Sequence, residues 1–222
     1  MTSLRRSAHP ALLAGIVGPL LFVIVFLIEG ALRAGYDPVR LQVSYLSLGD
    51  GGWIQIANFL VSGGLVVTFA LGLRGVLLEG RGAAAAPIGV AMIGVGLIVA
   101  GLFSTVPAFG WPPATPDGFP TDIPATAYLH LCGALCFFLG MVVASLAMAR
   151  RFRANGAGSW AGGSVAIALV VLGFLGASSA DPTGRPFFPP VAGLLQRISI
   201  IAGLGWIAAL AARTLRGDAG QH

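Results

Sequence analysis

Long apolar runs separated by short polar segments dominate this chain. An α-helix needs about 20 apolar residues to cross roughly 30 Å of hydrocarbon. Six stretches reach that length: Pro10–Ala31, Trp53–Leu73, Ala86–Val106, Tyr128–Ala149, Trp160–Ser178 and Val191–Ala212. The pattern predicts an all-α fold, a polytopic six-helix transmembrane bundle that forms one transmembrane domain over residues 1–222.

The composition excludes an ordinary soluble fold. Hydrophobic residues make up 56% of the chain and charged residues only 9%, against roughly 25% charged in a typical globular domain. A lipid-embedded chain need not bury so much apolar surface, because lipid is its solvent. The net charge of +5 comes from thirteen Arg residues scattered at the span ends. It indicates membrane lipids, and not nucleic acid, as partners.

The first apolar stretch has two interpretations. Arg5 and Arg6 precede it, as in a secretory signal peptide. Its apolar run from Ala11 to Ile28 exceeds the roughly 7–15 residues of a signal sequence, and no clear small-x-small cleavage site follows. We therefore expect a retained span, with a cleaved signal peptide as the alternative.

The arginines predict the orientation of the bundle. With the N-terminus inside, the cytoplasmic segments hold nine of them: Arg5, Arg6, Arg74, Arg81, Arg150, Arg151, Arg153, Arg213 and Arg216. The outer loops hold only Arg33, Arg40 and Arg185. We expect both termini in the cytoplasm and the protein in the cell inner (cytoplasmic) membrane.

The first outer loop, Leu32–Gly52, is predicted to contain a short helix. Asp37, followed by a proline, is typical of a helix start. Arg40 and Ser44 recur at helical spacing, as in a helix lying in the membrane interface. Alternation across Arg40, Gln42 and Ser44 would also suit a short strand.

Two further patterns concern packing and the membrane boundary. Small residues let membrane helices approach closely. We assign this role to eight glycines: Gly89, Gly94, Gly96 and Gly101 in the third span, and Gly162, Gly163, Gly173 and Gly176 in the fifth.

Four aromatic residues fall at the outer boundary, as in an aromatic belt: Trp53, Tyr128, Tyr36 and Tyr45.

Polar side chains in four of the spans fall at one depth near the outer face. They are Glu29 in the first span, Gln55, Asn58 and Ser62 in the second, His130 in the fourth, and Gln196 and Arg197 in the sixth. Unpaired polar groups in a membrane are expensive, so we expect them to turn inward and form an outward-facing polar pocket. Glu29 and Arg197 are the natural ion pair.

The pocket hypothesis assigns roles to these side chains. It assigns ligand binding to Glu29, Gln55, Asn58, Gln196 and Arg197. It assigns acid–base chemistry to His130, together with Asp122 from the outer loop that precedes span four. Each has a structural alternative. Arg197 would snorkel to the headgroups, Glu29 would lie in the aqueous interface, and His130 would donate to a backbone carbonyl. The polar stripe on span two would then only join helices.

Metal and cofactor sites are not indicated. His130 and Cys132 stand two positions apart, so they point about 200° apart on a helix and cannot share one ion. Cys132 and Cys136 share a face, where we expect them to pack as small apolar groups. The sequence contains no nucleotide-binding loop and no zinc-protease helix.

Several short motifs resemble one known family. They are Ser44-Tyr45-Leu46-Ser47-Leu48-Gly49, Trp53-Ile54-Gln55, Asn58-Phe59 with Gly63-Gly64, Gly101-Leu102-Phe103, His130 opening span four and Gln196-Arg197 opening span six. In order and spacing the chain resembles the bacterial six-span family catalogued as domain of unknown function 998, over nearly its whole length. A fainter similarity connects it to the eukaryotic Frag1/DRAM/Sfk1-like proteins.

The resemblance implies a fold and a site position but no activity. The family often has Asp-Pro after span three, where this chain has Val106-Pro107. Asp122, further along the same loop, is a candidate for the missing carboxylate.

Three function classes remain from the sequence. The first is an outward-facing pocket for a lipid or other amphiphilic small molecule, with acid–base chemistry at His130. The second is a non-catalytic assembly or regulatory protein. The third is transport of a small solute or ion, although the inner half of the membrane lacks polar groups.

Overall fold

The structure is a computed structural model that describes residues 2–179 and 190–217. It contains six α-helices: α1 (Thr2–Leu32), α2 (Gly52–Val76), α3 (Ala85–Leu102), α4 (Ala125–Ala154), α5 (Gly158–Ser179) and α6 (Ala192–Leu215). All six are long and apolar enough to cross a membrane. The predicted all-α fold of six helices is confirmed, and the chain is a multi-pass membrane protein. Arg185, assigned to the third outer loop, lies outside the described residues.

The helices form a closed bundle in chain order. Each helix packs on its neighbours in the sequence, and α6 returns to pack on α1. Two connections at one end are long: residues 33–51, called the first loop, and residues 103–124, called the second loop. We call this the loop end of the bundle. Phe22, Phe137, Phe138 and Phe174 make ring contacts in its interior.

Close helix approach depends on glycine in α2, α3 and α4. A Cβ added at Gly89 would lie 2.5 Å from the Ala144 backbone nitrogen, and one at Gly63 would lie 2.8 Å from the Gly94 oxygen. Atoms this close collide, so side chains are excluded from both crossings. The packing role predicted for the third-span glycines is thereby explained.

Packing against other helices of the same bundle is the wrong interpretation for the glycines of α5. Among residues 2–179 and 190–217, nothing lies within 4 Å of a Cβ built at Gly162, Gly163, Gly173 or Gly176. These positions are exposed on the outside of the bundle. Glycine content alone did not reveal which face of the helix they occupy.

Helix α3 ends at Leu102, before the end predicted at Val106. Phe103 takes an extended backbone with φ −118°. The last carbonyls of a helix lack partners within the helix. Here His130 supplies one: its Nδ1 lies 3.0 Å from the Ala100 oxygen and 2.8 Å from the Phe103 oxygen.

The first loop contains short helical segments and no strand. Asp37 Oδ1 accepts a hydrogen bond from the Val39 N–H at 2.9 Å, and one turn closes between Leu41 N and Asp37 O. A 3₁₀-helix follows over Val43–Ser47, and Val43, Tyr45 and Leu46 in it are buried. The helix of this loop is therefore a buried 3₁₀-helix that begins at Val43, whereas the sequence predicted a helix that begins at Asp37. Its location at the membrane interface stays a prediction.

Candidate functional site: a cavity beneath the loops

A cavity of about 400 Å³ lies in the half of the bundle next to the loops. Apolar side chains line most of it: Phe22, Val43, Phe59, Leu97, Val106, Phe119, Ile123, Leu131, Leu135, Phe137, Phe138, Phe174, Leu175 and Ile200. The side chains able to form hydrogen bonds are Gln42, Ser44, Tyr45, Thr105, Tyr128, His130 and Gln196. None of the described lining residues is an Asp, Glu, Arg or Lys. The opposite half of the bundle is filled by buried side chains such as Phe69, Leu73 and Met148.

His130 lines this cavity and is 7% exposed. Carbonyl oxygens only accept hydrogen bonds, so the two bonds from Nδ1 require the proton to be on that nitrogen. Nε2 is then an acceptor, and it makes no hydrogen bond within the described residues. The ring packs edge-on against Phe59, with centroids 6.4 Å apart. The structural role weighed for His130 is real, and it leaves one ring nitrogen available.

Gln196 lines the same cavity from the start of α6. Its Oε1 accepts a hydrogen bond from the Val43 N–H of the first loop at 2.8 Å. A backbone N–H requires an acceptor, so this contact fixes which end of the amide is oxygen. Nε2 is left as a donor with no partner in the part of the chain that the structure describes. His130 and Gln196 therefore share one cavity, as the sequence predicted.

Arg197 holds the first loop and does not line the cavity. Its Nη1 donates to the carbonyls of Pro38 and Leu41, the latter at 2.7 Å, and to Gly193 within its own helix at 3.1 Å. Its Nη2 donates to the Tyr36 hydroxyl. The guanidinium is 6% exposed, so it does not snorkel to the surface. Its donors serve the loop backbone.

The expected ion pair between Glu29 and Arg197 is not formed. Glu29 is 8% exposed, and its Oε2 has no hydrogen-bond partner among the residues that the structure describes. Within the described ranges the salt bridge found is the exposed Arg40–Asp117 pair, with an N–O distance of 3.9 Å. Backbone carbonyls accept the hydrogen bonds from Arg197 that we expected the Glu29 carboxylate to accept.

The polar stripe of α2 joins helices and lies outside the cavity lining. Asn58 Nδ2 donates to the Phe22 carbonyl of α1 at 3.1 Å and to Gln55 Oε1 at 3.2 Å. Ser62 Oγ donates to Asn58 Oδ1 at 3.2 Å. Gln55 is completely buried, and its Nε2 has no hydrogen-bond partner in the described part of the chain. The structure thus brings neither Gln55 nor Asn58 to His130.

Asp122 is not part of the cavity either. Its side chain is exposed on the second loop and makes no hydrogen bond or ion pair in the described structure. Val106 is 6% exposed and lines the cavity, as does Ile123, the neighbour of Asp122. The proton relay expected between Asp122 and His130 has no contact to support it.

The two loops together roof the cavity. Trp111 of the second loop donates through Nε1 to the Tyr45 carbonyl at 2.8 Å, and its ring lies edge-on to Tyr36 with centroids 5.3 Å apart. Val43 and Phe119 line the cavity from the two loops. The buried contacts between the loops are thus a ring contact and a hydrogen bond to a backbone carbonyl, and the Arg40–Asp117 pair lies at their exposed surface.

Two tyrosines assigned to the aromatic belt are buried in this roof. Tyr36 is 6% and Tyr45 2% exposed, whereas Trp53 is 70% and Tyr128 55% exposed. Burial raises the pKa of Tyr36, although the Arg197 charge opposes the rise. Burial, and then Tyr36, raises the pKa of Tyr45. Both hydroxyls therefore stay protonated, and Tyr36 donates to the Gln42 carbonyl at 2.9 Å.

Sequence reasoning missed two residues that hold the first loop. A Cβ at Gly193 would lie 2.3 Å from the Leu41 oxygen, so only glycine fits there. Arg33, counted only for topology, donates to the Leu46, Leu48 and Asp50 carbonyls. The sequence did contain one indication for Gly193: it lies one helical turn before Arg197, so both residues occupy the same face of α6.

Comparison with known proteins gives one family. Residues 16–213 match the family described as "Protein of unknown function (DUF998)". No curated protein and no solved structure matches the chain. The family resemblance is confirmed, and the fainter similarity to Frag1/DRAM/Sfk1-like proteins stays an expectation.

Proposed function

The chain belongs to the DUF998 family, whose description records no function, and we propose that its cavity binds a lipid or another amphiphilic small molecule. One observation carries the proposal: a largely apolar cavity of about 400 Å³ with a few convergent polar groups. Ligand pockets are typically concave, apolar and about 300–1,000 Å³ in volume.

The cavity also reaches the side of the bundle that lipid would cover. Tyr128, Leu131 and Leu135 of α4 line it, yet they are 55%, 52% and 42% exposed. Residues that face both a cavity and the exterior mark its mouth. A ligand would enter laterally from the bilayer and insert its apolar body among the phenylalanines.

In this proposal the loop end faces outward, and the protein lies in the inner (cytoplasmic) membrane with both termini in the cytoplasm. The support is the arginine asymmetry. Described residues at the opposite end include Arg74, Arg81, Arg150, Arg151, Arg153, Arg213 and Arg216. The two loops hold Arg33 and Arg40.

Reporter fusions test this orientation. Fusions at Gly82 and at the C-terminus should report the cytoplasm, and a fusion at Asp117 the outside, because arginine-rich segments are retained inside. An alkaline phosphatase and green fluorescent protein pair gives opposite readouts at each site. The reverse pattern would place the cavity mouth in the inner half of the bilayer.

A cavity-filling substitution tests ligand binding. Ala134 lines the cavity, so Ala134→Trp should reduce labelling by a photoactivatable lipid analogue at least tenfold while melting stays nearly unchanged. The matched control is Ala166→Trp on the exposed face of α5, which should label like the unmodified protein. Equal labelling of both variants would contradict binding in the cavity.

Acid–base chemistry at His130 has narrower support. Nε2 is the ring atom able to accept a proton, but Asp122 lies outside the cavity lining. We therefore retain His130 as a ligand-contacting residue and do not pair it with Asp122.

One observation favours the second candidate, a non-catalytic assembly role. The exposed glycines of α5 leave room for a Cβ, with no described residue of this chain within 4 Å of it, and small residues are common where membrane helices associate. Crosslinking of Gly173→Cys between copies in membranes tests it. The absence of any crosslinked dimer would argue against self-association through this face.

A further inference from the structure

We infer that the ligand of this cavity has an uncharged head group that both donates and accepts a hydrogen bond, as an alcohol does. This inference rests on the proposed function and specifies the class of ligand. Its basis is the fixed polarity of two side chains that face the cavity, together with the lack of charge among the described lining residues.

His130 sets the first requirement. Its proton is held on Nδ1 by the carbonyls at the end of α3. Moving that proton to Nε2 would leave two carbonyl oxygens facing a nitrogen lone pair, which is unfavourable. Nε2 therefore presents an acceptor, and a matching ligand must bring an O–H or N–H group.

Gln196 sets the second requirement, because it offers a hydrogen-bond donor where His130 offers an acceptor. Its oxygen is committed to the Val43 N–H. Rotating the amide by 180° would place two donors against each other, so Nε2 is the end available to a ligand. A matching ligand must also bring an acceptor, and a hydroxyl group provides a donor and an acceptor on one oxygen.

The surroundings disfavour a charged head group. The nearest buried cation of α6, Arg197, directs its donors to the Pro38, Leu41 and Gly193 carbonyls and to Tyr36. Arg197, assigned to ligand binding from the sequence, therefore has its donors occupied by the loop and by its own helix. A phosphate or carboxylate in the cavity would lie among phenylalanines without a counter-charge, and burying an unpaired charge is strongly unfavourable.

Displacement of a photoactivatable probe measures this preference. The protein is placed in lipid nanodiscs and labelled with a hexadecanol analogue that carries a diazirine in its chain. Unlabelled hexadecanol, hexadecyl methyl ether and hexadecyl phosphate then compete. The ether keeps the chain and the acceptor but has no donor for His130, and the phosphate is charged. We expect hexadecanol to displace the probe about tenfold better than either, the effect of one lost hydrogen bond in a buried site.

Gln196→Glu provides a reversal of polarity with little change in shape. The new side chain still accepts from the Val43 N–H, so the loop keeps its anchor, and it presents to the cavity a carboxyl group that ionises when a cationic head group pairs with it. Hexadecylamine, a poor competitor in the unmodified protein, should then displace the probe about tenfold better than before. Melting of the variant in detergent controls for folding.

The outcomes separate the two claims. Probe labelling that Ala134→Trp does not reduce would overturn the proposed function itself. Labelling that Ala134→Trp reduces, but that the phosphate or the ether displaces as well as the alcohol does, would overturn the head-group inference alone. If Gln196→Glu fails to fold, the order of the three competitors in the unmodified protein decides.

Discussion

Arg197→Leu should lower the free energy of unfolding by about 4 kcal/mol. The substitution removes the donors that serve the Pro38 and Leu41 carbonyls and the Tyr36 hydroxyl. Each buried group left without a partner costs about 1–3 kcal/mol. Thermal or denaturant unfolding in detergent measures the loss. Arg40→Leu is the control, because Arg40 is half-exposed and its pair with Asp117 is long, and exposed pairs contribute about 0–1 kcal/mol.

The same experiment decides whether Glu29 is the partner of Arg197. A broken buried ion pair would make the Glu29→Leu, Arg197→Leu double variant less damaged than the sum of the single variants, by about 3 kcal/mol. Because Arg197 donates to carbonyls and a hydroxyl, we expect the two losses to add, with a coupling below about 1 kcal/mol. A larger coupling would restore the ion pair predicted from the sequence.

Gly63→Val should destabilise the protein by about 3 kcal/mol. A Cβ at this position would lie 2.8 Å from the Gly94 oxygen and 3.1 Å from the Ile98 backbone nitrogen. Backbone atoms of a packed helix cannot rotate away as a side chain does, so α2 and α3 must separate. Overpacking a well-packed site costs about 1–3 kcal/mol and sometimes more, and a β-branched residue lies at the upper end. Unfolding in detergent gives the value.

Gly64→Val is the matched control on the adjacent residue. A Cβ at Gly64 has no described residue within 4 Å, so we expect the valine to be accommodated without a collision. Replacing glycine within a helix is favourable or neutral, since glycine is among the poorest helix formers. We expect a change within about 0.5 kcal/mol. Equal losses at Gly63 and Gly64 would show that the α2–α3 crossing is looser than the structure indicates.

The six helices were predictable because membrane spans depend on one local property. A run of about 20 apolar residues satisfies the bilayer whatever its neighbours are. The end of α3 was less predictable, since the partner of its last carbonyls is His130, 30 positions from Ala100. Where a helix ends depends on which groups donate hydrogen bonds to its last carbonyls, and these groups are not evident from the sequence.

The residues that line the cavity could be predicted only in part, and their role in a functional site stays a prediction. Polar residues at one depth include His130 and Gln196, which do line the cavity at the loop end. The sequence analysis also assigned Arg197, Gln55 and Asn58 to this cavity, because only polar side chains can be recognised as hydrogen-bond partners in a sequence. Their actual partners include the carbonyls of Leu41 and Phe22, and a backbone carbonyl has no sequence signature.

The docking of the first loop on α6 has a consequence for recombination between related proteins. The N–H groups of Gly193 and Leu194 bond to the carbonyls of Arg40 and Val39, and Arg197 also bonds to loop carbonyls. The exposed side chains of Val39 and Arg40 can therefore be exchanged, provided that the backbone follows the same path. A chimera that inserts or deletes a residue in this segment must bring its own start of α6, because no side-chain adjustment relocates a carbonyl.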